Sequence, residues 1–410
     1  MPRTPPNELQ GSADTMPELL IRGGRIVDPG RGVDRTGDLR VRDGRIDAIA
    51  PVGGTGAAPD AVVIEAAGAL VLPGLIDLHG HWYDASPYGV DPIASLKGGA
   101  TVAVDAGTAG YGNFPTFRRT VIDTSPTRVL AYVHVAAAGL AASMVGELEE
   151  IRYARPRETA EIIAAHRDVV IGVKVRIGAG ACGANSAAAL AAALEAAELA
   201  ETPVMAHIAD GADVPAVLRA LRGGAVVTHA LTANGTGILG PDGRIAPEAR
   251  AARRRGVLFD VGHGCGSFSW ASARRAIADD FAPDTISTDI HRYSIDYPVV
   301  DLPTTMAKLR HLGMSEAEVL ASVTSRAAAA LRRDDIGSLA PGARADITIL
   351  RPGPDTVLRD AEAIGETVVA PWRPVLAIVD GIVHDPAAIT VPLRPYVAAD
   401  HEVDCTAPLG

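Results

Sequence analysis

Short apolar runs broken by glycine open the chain, in LLIRGGRIVD, GDLRVRDGRIDAIA and AVVIEAAGALVL, and within them apolar and polar positions alternate. A period of two puts apolar side chains on one face of a strand, and glycine between runs marks tight turns, so a small sheet of hairpins is expected. The same texture returns only near the end, in ADITILRP and RPVLAIVDGIVHD, and the two ends are expected to build one domain. Between them, the strand candidates LPGLIDLH, ATVAVDAG, RVLAYVHV, VVIGVKVRIG, PVMAHIAD, AVVTHAL, VLFDVGHG and TISTDIH alternate with alanine-rich stretches such as NSAAALAAALEAAELAE. This predicts an α/β chain. Eight parallel strands with intervening helices close into a (β/α)8 TIM-like barrel whose active site lies at the C-terminal strand ends. A doubly wound open sheet accommodates the alternation but brings no side chains together from strands far apart in order. The expected organisation is a disordered tail over 1–17, polar and proline-containing, a composite β-sandwich domain from 18–70 and 343–400, and the barrel over 71–342.

Candidate ligands sort onto those strand ends. His79 and His81 close the first strand, Lys174 lies on the fourth, His207 on the fifth, His229 on the sixth and Asp289 on the eighth. Side chains two positions apart on a strand share a face, so His79 and His81 are placed to grip one ion together. In VVIGVKVRIG, Ile171, Val173 and Val175 take one face and leave Gly172, Lys174 and Arg176 on the other, which turns Lys174 into the barrel. Singly, each has a plainer reading: a hydrogen-bonded histidine, a snorkelling or salt-bridged lysine, a capping aspartate. Jointly they point to a metallohydrolase.

Composition narrows the field. The 410 residues are 48% hydrophobic and 4% aromatic, enough for one large core and a smaller companion. Lysine and arginine total 38 against 49 acids, a formal charge of -11, which argues against nucleic acid or an anionic membrane as partner. No run reaches the ~18 apolar residues of a membrane span, and the opening lacks the apolar core of a signal peptide. Cys182, Cys265 and Cys405 are scattered without CxxC spacing, so a disulfide framework is not expected and a cytoplasmic setting is favoured. The basic stretch around Arg250, Arg253, Arg254 and Arg255 reads as a solvated face or a subunit contact, leaving a homo-oligomer open. Glycines in IGAGACGAN match a phosphate cradle only by spacing and read as a loop.

The run VLPGLIDLHGHW, the lysine of IGVKVRIG, the histidines of VMAHIAD and VVTHAL, and the aspartate of ISTDIH resemble the amidohydrolase superfamily across nearly the whole chain. HGHWYD, GHGCGSFSW and PDTISTDIH are similar to its amidohydrolase/deacetylase metallohydrolase branch, which includes acetyl-mandelate deacetylases. The resemblance implies one or two divalent ions, zinc by preference. It implies that His79, His81 and Asp289 hold the more buried ion, that His207 and His229 hold the more exposed one, and that a carboxylated Lys174 bridges them. An ammonium cannot ligate a cation, so a lysine here needs either that carbamate or a deprotonated state, and carbamate oxygens supply the hard anionic bridge that two divalent ions want.

The chemistry expected is hydrolysis at a carbonyl by a metal-bound hydroxide, because divalent ions lower the pKa of water from ~15.7 toward ~7. Asp289 is placed to accept the water proton and pass it to the leaving atom. No G-x-S-x-G elbow or Ser/His/Asp set is visible, which disfavours an acyl-enzyme. Arg176 is a candidate for gripping a substrate carboxylate, or else a structural ion pair; His263 is a candidate catalytic group on the carbonyl or leaving group, or else packing. Trp82, Tyr83 and Tyr88 either wall the pocket or pack their loop, and His291, Arg292 and Tyr293 either approach substrate or face solvent. The leading reading is a deacylase for a small acylated amino or hydroxy acid. A cyclic-amide hydrolase of the hydantoinase or dihydroorotase sort, and a non-catalytic scaffold, are the alternatives.

Overall fold

The computed structural model describes residues 16–209, 211–232 and 237–393, so most of the tail expected over 1–17, and Cys405, lie outside the described residues. Seven parallel strands form a curled sheet in strict chain order: Leu75–Gly80, Ala100–Gly110, Arg128–His134, Val170–Ile177, Val204–Ile208, Val226–Thr228 and Leu258–Phe259. We call these the first to seventh barrel strands.

The eighth expected strand is present as a connection and not as a regular element. Parallel bridges join Thr285 to Asp260 beyond the seventh strand and Ile290 to Gly80 on the first, which closes the ring. Asp289 donates its N–H to the His79 carbonyl at 2.6 Å, and His81 donates to the Ile290 carbonyl at 2.9 Å. Regular pairing fails here because Asp289 has φ +48°, a left-handed conformation that an extended strand does not contain. His229 at φ +65° bends the end of the sixth strand in the same way. Strained backbone can mark a functional site, and both of these left-handed residues lie at the ends of barrel segments.

Helices cover the outside, and their small faces explain the low aromatic content. Ser186–Ala200 buries Ala189, Ala193, Ala196, Ala197 and Ala200, a stripe at helical spacing that lets it approach the fourth strand closely. Asp301 caps the helix Leu302–His311 by accepting from the Thr304 N–H at 2.8 Å.

Described segments from the first and last parts of the chain meet in one mixed sheet. Its order runs Ile382–His384, Trp372–Val379, Ile347–Pro352, Leu70–Pro73, Leu19–Asp28, Val33–Arg42 and Arg45–Ala50, with Val62–Glu65 also paired to Leu19–Asp28. The seam is the antiparallel pairing of Ile347–Pro352 with Leu70–Pro73. After Gly74 the strand Leu70–Pro73 runs on into the first barrel strand, so this sheet anchors the segment that carries His79 and His81. Gly74 is required there, since a Cβ would lie 2.1 Å from Thr101 Oγ1.

One further glycine ties the fold to the site. Gly107 has φ +80°, and a Cβ on it would lie 2.6 Å from the Lys174 Cβ. Gly107→Ala is expected to cost about 2–4 kcal/mol, from left-handed strain and overpacking together, read as a lowered urea midpoint.

Candidate metal centre

His79 and His81 point to the same side, as their spacing predicts, and both face Asp289. The Nε2 atoms of His79 and His81 lie 3.2 and 3.0 Å from the same Asp289 Oδ1. All three side chains are buried, and the ligand atoms they offer lie within 4.8 Å of one another. Two imidazole nitrogens and a carboxylate oxygen converging at that separation form a group that could hold a divalent metal ion. Gly264, at φ +50°, lets the loop after the seventh strand lie against the far side of this carboxylate, where a Cβ would stand 2.4 Å from Oδ2.

Lys174, His207 and His229 adjoin this group. Lys174 is buried, with Nζ 3.4 Å from His79 Nε2 and 3.5 Å from Met205 Sδ. His207 Nδ1 and His229 Nε2 are 2.8 Å apart, and His229 Nδ1 donates to the Gly262 carbonyl at 2.7 Å. The His79 and His229 rings are 5.1 Å apart between centroids, so the two sets share one space.

Burial governs the protonation of most of these groups. It lowers His81 and His229 to about 3, against the pull of Asp289 in each case, and with help from His229 it drives His207 well below its ordinary value. All three are therefore neutral imidazoles, the form that ligates a cation. Lys174 falls to about 8, chiefly through burial, which leaves a usable fraction of free amine near neutrality. Burial would raise Asp289, but His79 and His81 outweigh it and hold the carboxylate well below its usual range. His79 is the exception: burial and Lys174 push it down, yet Asp289 and Asp260 prevail and raise it. A proton on His79 thus takes the place of positive charge that the acids around it demand.

The remaining candidates divide. Arg176 forms an ion pair with Glu147, a buried acid whose other oxygen lies 3.1 Å from His134 Nε2. Neither His134 nor Glu147 stands out in the sequence; His134 ends the third strand, the position that marks ligands on other strands. Arg176 also neighbours Tyr88, whose ring stands 6.5 Å from His81 and 5.6 Å from both His291 and Tyr293. Arg176, Tyr88, His291 and Tyr293 therefore gather beside the ligands.

His263, Trp82 and Tyr83 are placed elsewhere. His263 donates from Nδ1 to the Gly264 carbonyl at 2.7 Å, and its Nε2 accepts from Lys308 Nζ at 2.7 Å, with Phe268 stacked on the ring. Both nitrogens are engaged, so neither is free for a substrate carbonyl. Trp82 is fully buried and donates its indole N–H to the Val104 carbonyl at 3.1 Å, while Tyr83 packs on Phe117 at 4.9 Å. Of the aromatic residues after the HGH run, Tyr88 alone is the one that stands beside His81.

Comparisons with known proteins agree with this geometry. A family model described as the amidohydrolase family matches residues 70–383. A deacetylase of Agrobacterium fabrum is 33% identical over 352 residues, covering 84% of this chain and 85% of that protein. Crystal structures of a dihydroorotase and of an adenine deaminase superpose with TM-scores of 0.84 and 0.82 at 30% and 29% identity. Each covers 90% of this chain, and the match takes in 98% and 100% of those two chains.

The raised His79 sets a direction for pH. Its proton must leave before Nε2 can bind a cation, so metal affinity falls as pH drops through the His79 pKa, by about tenfold per pH unit for one displaced proton. Calorimetric zinc titrations between pH 5 and 8 should show this loss together with proton release. A pH-independent affinity would contradict it.

Proposed function

This chain belongs to the amidohydrolase family, and we propose that within it the protein is a zinc-dependent deacylase acting on small acylated amino or hydroxy acids. The observation that carries this reading is the convergence of His79, His81 and Asp289 from opposite ends of the barrel sequence, with Lys174 beside them. The match to a deacetylase over 84% of the chain supports the reaction class. His79, His81 and Asp289 would hold one ion, and His207 and His229 a second. Lys174 would join both sites as a carbamate: its neutral amine adds carbon dioxide and releases a proton, turning a cation into an anionic oxygen donor.

Divalent ions bound there would make water acidic enough to supply hydroxide near neutral pH and would polarise a carbonyl. Asp289 is held ionised, so it accepts the proton of the attacking water and delivers it to the departing nitrogen or oxygen. Arg176, kept charged and oriented by Glu147, offers its remaining guanidinium face to the carboxylate of the substrate. Tyr88 and His291 wall the acyl side.

The dihydroorotase structure, at 30% identity over 90% of the chain, favours ring-opening of cyclic amides as the second reading. A panel of N-acyl amino acids and O-acyl hydroxy acids in both enantiomers, alongside hydantoin-type rings, separates the two. Turnover of the acyl acids alone is expected; turnover of the rings alone would replace the deacylase reading.

Asp289→Ala and Lys174→Ala are each expected to lower kcat by about a thousandfold or more, since a positioned general base contributes ~10²–10⁴ and Lys174 also secures the ions. Near-native rates in either variant would refute the role assigned to it. Arg176→Ala is expected to raise KM for acidic substrates far more than for their neutral esters. An unchanged ratio between the two would remove Arg176 from carboxylate recognition.

A further inference from the structure

Three aspartates lie within the otherwise apolar barrel strands and their continuations: Asp77 in the first, Asp105 in the second and Asp260 just beyond the seventh, all buried. A buried carboxylate without donors is costly, so each must have partners, and in every case one partner is a threonine next to a candidate ligand. Asp260 accepts from the Thr228 hydroxyl at 3.0 Å, and Thr228 Oγ1 in turn lies 2.8 Å from His79 Nδ1. Thr285 and Ser287 fix the same carboxylate from the closing segment, at 2.8 and 2.6 Å. Asp105 accepts from the Thr108 N–H at 2.7 Å and from the Trp82 N–H at 2.9 Å, and Thr108 Oγ1 lies 2.8 Å from His81 Nδ1. Asp77 accepts from both the N–H and the hydroxyl of Thr288, at 3.0 and 2.6 Å, immediately before Asp289.

We propose that Thr228 and Thr108, held by Asp260 and Asp105, are positioning residues that set the tautomer and aim of His79 and His81. The inference rests on the reading of those histidines as ligands. The Thr228 hydroxyl has one proton, and it goes to Asp260. Its oxygen can then only accept, so His79 Nδ1 keeps its hydrogen, and Nε2 is the nitrogen that gives up its proton and is left for a metal ion beside Asp289. Thr108 stands to His81 in the same way, since its hydroxyl as well as its N–H is hydrogen-bonded to the Asp105 carboxylate. A hydroxyl makes the direct hydrogen bond to each Nδ1, and at His79 the Asp260 carboxylate stands behind it, 3.8 Å from the ring nitrogen. Partners one step behind metal ligands typically change metal affinity by ~10–100-fold when removed, because they fix ring orientation and basicity. The Asp77–Thr288 pair extends the pattern to the third ligand by fixing the backbone on which Asp289 turns.

The test is zinc affinity, measured by competition with a chelating dye on the full-length protein, for Thr228→Val, Thr228→Ser, Thr108→Val and Thr108→Ser. Each valine variant is expected to bind zinc about 10–100-fold more weakly than wild type, and each serine variant within about threefold of it, with unfolding midpoints of the serine proteins unchanged. Valine variants binding as tightly as wild type would overturn the proposal. Should a valine variant fail to fold, nitrogen-15 spectra of the zinc-loaded wild type decide the matter. Protonated Nδ1 on both His79 and His81 is expected, and zinc on Nδ1 of either ring would overturn it. A wild-type protein that binds no zinc with either histidine would instead overturn the functional reading itself.

Discussion

Everything at the rim of this barrel follows from burying ionisable groups that cannot be left unpaired. Asp77, Asp105, Asp260 and Asp289 are all buried, as are His79, His81, His229 and Lys174, and Asp289 faces the two histidines of the first strand. Burial leaves each carboxylate to find donors or positive charge inside the protein. Asp77 and Asp105 are pushed up by burial, to about 7 and about 6, in spite of the threonines that serve them. Asp289 differs because two imidazoles face it and keep it ionised. A divalent cation between these three side chains answers the same demand more fully than a proton on His79 does. On the proposed reading, structural and catalytic demands have one physical origin: the ion that the chemistry would use is also the charge that these buried groups call for.

The barrel was legible because its evidence is periodic and cumulative. Eight apolar runs in alternation with alanine-rich helices, and six candidate ligands at or near run ends, are patterns that spacing alone conveys. The His79/His81 pairing follows from strand alternation, and the structure places both rings on the same carboxylate oxygen. Irregularity was not legible. The eighth segment reads as a strand, yet Asp289 takes a positive φ that sequence pattern cannot signal in a non-glycine residue. His263 shows the same limit from another side: its strand-end position is right for chemistry, but Lys308, a buried lysine forty-five residues away, takes its Nε2. Long-range partners of that kind leave no local mark.

A signal for the supporting groups was nevertheless present. An acid inside LIDLH, VAVDAG or VLFDVG has to be buried if those runs are core strands, and a buried acid implies a nearby hydroxyl or amide donor. Read this way, the DAGT of the second strand already pairs an acid with a threonine. The same reasoning applies to Glu147, which sits outside any apolar run but is drawn into the barrel by Arg176 and His134. That ion pair sets Arg176 beside Tyr88 and thereby gives the site a charged wall next to its ligands.

X-ray absorption at the metal edge of the zinc-reconstituted protein addresses the ion's surroundings without reference to any substrate. A first shell of nitrogen and oxygen near 2.0–2.1 Å, with the outer scattering of several imidazoles, is the result expected if His79, His81 and Asp289 hold the ion. A sulfur shell near 2.3 Å, as Cys265 or another thiolate would give, or the absence of ordered imidazole scattering, would contradict it.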